Sequence, residues 1–198
     1  PRGAHRIALA VCTGAALTLL WPLLTGQIMF GGGSSDMYIA GYSFRLSATE
    51  CFRERGSIPH WNPYLFAGLP YIAAMHGDIF YPTAWLRWIM PVDLAITWGM
   101  AVHFVLAGWF TYRFCRALGI SWGASILAGV AYELTGIVAS QMSPGHDGKL
   151  FVSALTPLAF WVLLHAIRRE RAWAFGLFAA VVALIVLGHY HMAYFLLL

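Results

Sequence analysis

The stretch Leu94–Ala117, LAITWGMAVHFVLAGWFTYRFCRA, decides the fold class, because it carries no Asp, Glu, Lys or Arg before Arg113. A helix needs about 20 mostly apolar residues to cross a hydrocarbon core of roughly 30 Å. Four further stretches approach or exceed that length, at Ile7–Phe30, Trp122–Met142, Leu150–Ile167 and Ala172 to the last residue. The sequence therefore predicts an all-α, polytopic transmembrane helix bundle with about five spans.

The composition of the whole chain agrees with a membrane protein. The 198 residues are 60% hydrophobic and only 10% charged, whereas a soluble domain is about 25% charged. Such a chain cannot cover a water-facing surface with polar side chains, which excludes an ordinary soluble domain and a disordered one. The net charge of +4 comes from scattered basic residues without a basic stripe, so we expect no nucleic-acid partner. The three cysteines are too few and too widely spaced for a disulfide framework or a metal motif.

Basic residues in the short flanks predict the orientation of the bundle. The connection 143–149 carries only Lys149, while the opposite side carries Arg2, Arg6, Arg113, Arg116, Arg168, Arg169 and Arg171. By the positive-inside rule the amino terminus is cytoplasmic. The first loop, 31–93, and the second loop, 143–149, are then external parts of one transmembrane domain, 1–198. Because the chain starts without Met and stops inside an apolar run, we expect it to be the amino-terminal piece of a longer protein.

The first external loop carries signals for local structure. Asp36 is well placed as the N-cap of a helix over Met37–Arg55, which Gly56 ends. Apolar side chains fall on one side of this helix and Arg45 on another, so we expect an amphipathic helix along the outer membrane surface. The remainder is rich in Pro, Gly and aromatic residues. It predicts a compact loop with short helical turns and no sheet.

Titratable side chains concentrate at the external side of this topology. Such groups can bind a divalent metal, bind a phosphate or act as a general base, and they are equally typical of any polar loop. Asp36 is the strongest candidate because it lies where the chain leaves the membrane, although an N-cap role also explains it. The set is Asp36, His60, His76, Asp78, His146, Asp147, Lys149, His189 and His191.

Two further patterns could contribute to a site. His189 and His191 are about 200° apart around a helix axis, so they cannot face one ligand unless the helix breaks at Gly188. Most tryptophans lie at predicted membrane edges and belong to an aromatic belt. Trp61 and Tyr64 of the first external loop are candidates to hold a sugar ring instead.

Two ionisable residues lie deeper in the predicted spans. His103 and Glu133 are both roughly 14 Å below the external ends of their helices, at 1.5 Å per residue. An ionisable side chain in the bilayer usually faces the bundle interior and finds a partner there. The matching depths favour a His103–Glu133 pair, acting as a structural clamp or, alternatively, in contact with a substrate.

Short motifs rich in Pro, Gly and aromatic residues follow the first span in a characteristic order. They are Asp36, GSIPHWNPY at Gly56–Tyr64, GLP at Gly68–Pro70, FYP at Phe80–Pro82, GHDGK at Gly145–Lys149 and GH at Gly188–His189. In this order, over essentially the whole chain, they resemble bacterial YfhO-type membrane proteins, which are similar to the GT-C superfamily of glycosyltransferases. The Pro-His-Trp-Asn-Pro stretch is the specific part, because the spans alone would match many transporters.

The resemblance implies a glycosyltransferase that moves a sugar from a polyprenyl-phosphate carrier to a cell-envelope acceptor. The reaction would take place on the external face of the bacterial cytoplasmic membrane. Asp36 matches the acidic base or metal-linked group of such enzymes, and Asp147 or Asp78 could supply a second acid. Mg²⁺ or Mn²⁺ is the metal to expect if one takes part, with no ligands assigned.

Positive charge must also meet the leaving phosphate, and Lys149, His146 or Arg87 could supply it, with or without a metal. The expected substrate-binding residues are Trp61, Asn62, Tyr64, His76, Arg87, His146, Lys149 and His189.

Two other function classes stay open on the sequence. A multi-pass transporter or lipid flippase would use Glu133 and His103 as its intramembrane site. A non-catalytic assembly protein would use the first external loop to bind a partner. If the protein is a transporter, substitution of Glu133 should abolish its function and substitution of the acidic loop residues should be tolerated. If it is a transferase, the acidic loop residues should be essential and Glu133 replaceable.

Overall fold

The structure is a computed structural model that describes residues 2–26, 35–74 and 78–198. The glycines that leave the first predicted span, and the candidate His76, lie outside the described residues. The elements in chain order are α1 (Arg2–Leu24), a π-helical turn (Met37–Gly41), α2 (Tyr42–Arg55), β1 (Trp61–Asn62), β2 (Leu69–Pro70), a 3-10 turn (Pro82–Trp85), α3 (Leu86–Ile89), α4 (Val92–Ala117), α5 (Trp122–Glu133), α6 (Gly136–Ala139), α7 (Asp147–Arg169), α8 (Ala172–Gly188) and α9 (Tyr190–Leu197).

The helices form the membrane-embedded, all-α bundle that the sequence predicts. Within the described ranges, four stretches are long and apolar enough to span a membrane: Gly3–Pro22, Val92–Ala117, Trp122–Ala139 and Asp147–Arg169. The fifth predicted span differs, because it is interrupted after Gly188 and its apolar part, Ala172–Gly188, is shorter.

Helix α4 lies at the centre of the bundle, with α1, α5 and α7 packed around it and α8 packed on α7. One buried apolar cluster joins α1, α4 and α7 through side chains such as Leu20, Phe104 and Leu150. At the crossing of α4 and α5, a Cβ on Gly129 would lie only 2.6 Å from the Gly108 carbonyl oxygen. Small residues at this crossing let the two backbones approach closely, as is common between membrane helices.

The two ends of the bundle differ in charge. At one end, the arginines Arg113, Arg116, Arg168, Arg169 and Arg171 gather where α4 and α7 finish and α8 begins. Arg168 donates to the Ala117 carbonyl there, which joins the ends of α7 and α4. At the opposite end, α1 and α8 finish and α4 and α7 begin. We call this opposite end the site end, because the loops that carry the candidate residues lie there.

Helix α2 packs against other parts of the protein, including α3 and α4. Its buried residues include Phe44, Ala48 and Arg45, and Arg45 is 5% exposed. Arg45, expected on the polar side of an amphipathic helix, is instead buried, because acidic partners from distant segments surround its guanidinium. Gly56 ends the helix as predicted, in the left-handed conformation at φ 66°.

Two further expectations for the first loop need correction. Asp36 makes no side-chain cap hydrogen bond, because its own backbone is already helical and its carboxylate points elsewhere. Strands β1 and β2 pair antiparallel, Trp61 with Pro70 and Asn62 with Leu69, where no sheet was expected. The extended backbone that prolines impose suits a strand as well as a loop. The predicted short helical turns are present, as the 3-10 turn and α3.

Candidate functional site

A buried network of four charged side chains ties the first loop to the bundle at the site end. Arg45 binds Asp147 through Nη2 at 2.7 and 2.9 Å, and Asp78 through Nε at 3.1 Å. Arg87 binds the same Asp78 oxygen at 2.8 Å. All four side chains are less than 10% exposed. The two guanidinium groups and two carboxylates cancel in charge, which makes their burial tolerable.

The network brings together residues of four separate segments. Arg45 comes from α2, Asp78 from the loop before the 3-10 turn, Arg87 from α3 and Asp147 from the first residue of α7. Burial alone would raise the pKa of the Asp78 carboxyl, but the Arg45 and Arg87 guanidinium groups outweigh it and lower that pKa below its usual range. Sequence reasoning proposed Asp78, Asp147 and Arg87 and missed Arg45, the residue that joins the two acids.

A pocket of about 580 Å³ opens beside this network. Its walls come from the first loop, from the second loop with the start of α7, and from the junction of α8 and α9. Its polar lining includes Asp36, Arg45, Tyr71, Asp78, His146, Asp147, Lys149, His189, Tyr190 and His191. Its apolar lining includes Ile72, Phe80, Val186 and Leu187, each more than 40% exposed. The pocket is thus amphipathic, with charged groups on one part and apolar side chains on another.

Three polar side chains form a hydrogen-bonded chain on the pocket wall. Lys149 Nζ lies 3.0 Å from His146 Nδ1, and His146 Nε2 lies 2.8 Å from Asp36 Oδ2. A lysine ammonium only donates, so Nδ1 accepts from Lys149 and Nε2 carries the hydrogen that it donates to Asp36. The Asp36 side chain is 72% exposed. Asp36 thus keeps a second carboxylate oxygen, Oδ1, for a ligand.

The second loop is held against the start of the first loop by two hydrogen bonds to one backbone carbonyl. The Pro144 carbonyl accepts from Ser35 Oγ at 3.1 Å and from the Met37 amide at 3.3 Å. Gly145 has φ 76°, and a Cβ at this position would overlap the Met37 Cβ. A glycine is therefore required here on both conformational and steric grounds. This contact sets the position of His146 next to Asp36.

A helix break brings two histidines to the pocket. His189 is extended (φ −165°) between α8 and α9, and its Nδ1 accepts from the Met192 amide at 3.3 Å. The rings of His189 and His191 lie 5.8 Å apart, centroid to centroid. The sequence predicted that both rings could face one ligand only if the helix breaks at Gly188, and the helix does end there. A Cβ on Gly148 would lie 2.7 Å from the Gly188 carbonyl oxygen, so α7 touches this junction directly.

Several predicted binding residues lie away from the pocket lining. Asn62 is fully buried, and its Oδ1 accepts a hydrogen bond from the Tyr64 amide. Trp61 packs over Gly68. Tyr64 is 80% exposed on the outside of the loop. Arg87 is enclosed by the buried network. His60 is exposed and also lies outside the pocket lining.

The predicted His103–Glu133 pair does not form. Tyr81 donates to His103 Nε2 at 2.7 Å, and His103 Nδ1 donates to the Gly99 carbonyl at 2.6 Å, so both ring nitrogens are already bonded. Glu133 is fully buried beside the Cys12 thiol, in space left by the missing side chain of Gly108. No nitrogen or oxygen donor among the described residues reaches its carboxyl oxygens.

The part of the chain that the structure describes contains no group of three His, Cys, Asp or Glu side chains placed to hold a metal ion. Asp78 and Asp147 are bonded to arginines, which leaves Asp36 and the imidazoles as potential ligands.

Comparison with known proteins adds no assignment to this geometry. No protein-family model, no curated protein and no solved structure matches the chain.

Proposed function

We propose that the pocket at the site end is the active site of a membrane glycosyltransferase. The enzyme takes a sugar from a polyprenyl-phosphate carrier and passes it to a cell-envelope acceptor. The observation that carries the proposal is the hydrogen-bonded chain Asp36–His146–Lys149 on the wall of an amphipathic pocket. It unites an exposed carboxylate, an imidazole and an ammonium group.

The chemistry of glycosyl transfer needs the groups that this chain supplies. Asp36 takes the proton of the acceptor hydroxyl as that oxygen attacks the anomeric carbon. The bond between the anomeric carbon and the phosphate oxygen breaks, and the lipid phosphate leaves with the electron pair. The Lys149 ammonium lies next to the same imidazole and stabilises the negative charge of the leaving phosphate. His146 holds the Asp36 carboxylate in place through its Nε2 hydrogen.

The lining of the pocket supports a donor that is both charged and lipidic. Val186 and Leu187 belong to the apolar helix α8, and Ile72 and Phe80 face them from the first loop. An isoprenoid chain can lie against these side chains while its phosphate reaches Lys149. The arginine-rich end of the bundle is opposite, so the positive-inside rule would place this pocket on the external face of the cytoplasmic membrane.

A transfer assay with a variant of Lys149, the single lysine of the chain, tests the proposal. The natural protein in vesicles is incubated with radiolabelled polyprenyl-phosphate sugars, beside Lys149→Gln and, as a matched control, Arg55→Gln at the exposed end of α2. Transfer of label by the natural protein and the control, and its loss in Lys149→Gln, is the expected result. Equal transfer by all three proteins would contradict the role of Lys149, and no transfer from any lipid-linked sugar would contradict the function.

One observation favours a second candidate function, a transporter or flippase. Glu133 is a fully buried carboxyl inside a membrane-spanning stretch and lacks a nitrogen or oxygen donor among the described residues. Such residues often mark ion or proton pathways. In that case Glu133→Gln abolishes substrate movement across the vesicle membrane, while Asp36→Asn leaves it intact. For a transferase we expect Asp36→Asn to lose sugar transfer and Glu133→Gln to keep it.

A further inference from the structure

The hairpin 61–70 has two different faces. Its inner side chains Leu65 and Leu69 pack against a small core that contains Phe44 and Tyr71. Its outer side chains Tyr64 and Phe66 are 80% and 91% exposed. The hairpin is therefore anchored from within and presents aromatic rings that the described part of the chain leaves uncovered.

The tip of the hairpin is strained and fixed. Phe66 and Ala67 are not glycines, yet they adopt φ 51° and 61° in the left-handed region, and Gly68 follows at φ 112°. The Trp61 indole lies directly over Gly68, because a Cβ there would be 2.7 Å from Trp61 Cζ2. Strained backbone of this kind concentrates at ligand clamps and switch regions. Phe66 lies at this tip and its side chain is exposed.

The sequence around the hairpin is free of formal charge. Between Gly56 and Asp78 there is no Asp, Glu, Lys or Arg. The hairpin lies in the loop between two membrane-spanning helices, α1 and α4. Trp, Tyr and Phe rings are the side chains that proteins place at the boundary between lipid headgroups and acyl chains. Trp85 and Ile89, in the next short helices of the same loop, are also exposed.

We propose that the tip of the hairpin 61–70 inserts into the headgroup region of the lipid bilayer and anchors the first loop there. Lipid is the occupant that the position in the chain, the absence of charge and the aromatic side chains favour together. Tyr71 and Ile72 follow β2 directly and line the pocket. The anchor would thus hold one wall of the pocket at the lipid surface. The proposal is independent of the chemistry assigned to that pocket.

Site-directed fluorescence tests the anchor. Cys12, Cys51 and Cys115 are replaced by alanine, and a single cysteine is introduced by Phe66→Cys or, as a matched control, by Glu54→Cys at the exposed end of α2. Each protein is labelled with an environment-sensitive dye and reconstituted in phosphatidylcholine and phosphatidylglycerol vesicles. The dye at position 66 should emit at shorter wavelength and lose most of its emission to lipids spin-labelled near the headgroup. The dye at position 54 should lose its emission to aqueous iodide instead.

Two results would overturn the proposal. Quenching of the dye at position 66 by iodide as strong as at position 54 would place the tip in water. Protection of the dye at position 66 from both quenchers would show that protein, and not lipid, covers the tip. If Phe66→Cys does not fold, Tyr64→Cys provides a second reporter on the same face and is judged by the same criteria.

Discussion

His146 donates from Nε2 to the Asp36 carboxylate across 2.8 Å, and this contact between residues 110 positions apart joins the second loop to the first. The other ring nitrogen of His146 accepts from Lys149. An imidazole between a carboxylate and an ammonium group cannot rotate freely. The contact therefore fixes the carboxylate at the wall of the pocket, which is what a general base requires.

Breaking the buried network should destabilise the protein more than removing an exposed charge. Asp147→Asn leaves Arg45 buried without one of its two carboxylate partners, and the expected loss of stability is about 3–5 kcal/mol. Glu50→Gln on the exposed side of α2 is the control and should change little. Thermal unfolding in detergent measures both. A Tm for Asp147→Asn equal to that of the control would show that the ion pair contributes nothing.

Acid should weaken the same network. Because the folded pKa of Asp78 is lowered, its ionised form stabilises the folded state above the ordinary carboxyl pKa, and this stabilisation disappears as pH falls through the lowered value. The difference in Tm between the natural protein and Asp78→Asn should therefore be constant near neutral pH and shrink in acid. A difference that grows on acidification would contradict the lowered pKa.

The register of the second loop should depend on Gly145. Gly145→Ala introduces a Cβ that overlaps Met37 at a left-handed φ, so we expect a loss of about 1–3 kcal/mol and separation of His146 from Asp36. Gly176→Ala is the matched control, because a Cβ there meets nothing within 4 Å. The unfolding temperature and the transfer activity should both fall in Gly145→Ala and should stay at the level of the natural protein in Gly176→Ala. Equal behaviour of the two variants would remove the argument for the loop contact.

The orientation can be read from the three native cysteines. With a membrane-impermeant maleimide on sealed cells or spheroplasts, Cys51 on α2 should react, and Cys115 near the arginine-rich end should react only after the membrane is opened. Cys12 is fully buried and should stay unreactive in both conditions. Labelling of Cys115 in sealed cells would invert the topology and place the pocket in the cytoplasm.

The spans could be predicted from the sequence because length and apolar composition are sufficient for a membrane helix. The Arg45 contacts could not, since the burial of a charge depends on partners that only the folded chain brings together, here Asp78 and Asp147. Depth alone suggested the His103–Glu133 pair. Depth fixes the height of a residue along a helix and not the direction of its side chain, and the two point to different neighbours, Tyr81 and Gly108.

The site shows the same division. Asp36, His146 and Lys149 could be proposed from their place at the predicted external side, but their mutual contact depends on the docking of Pro144 on Met37. The sequence offered the break at Gly188 only as a condition, because a single glycine in an apolar run does not show whether the helix ends there.

The most direct test of the account is the transfer of a labelled sugar from a polyprenyl phosphate by Asp36→Asn. The asparagine keeps the size of the side chain and cannot take a proton, so Tm should be preserved while transfer falls about 100-fold or more. Glu54→Gln, an exposed carboxylate on α2, should transfer at the natural rate. Equal transfer by Asp36→Asn and the natural protein would contradict the assignment of Asp36 as the base.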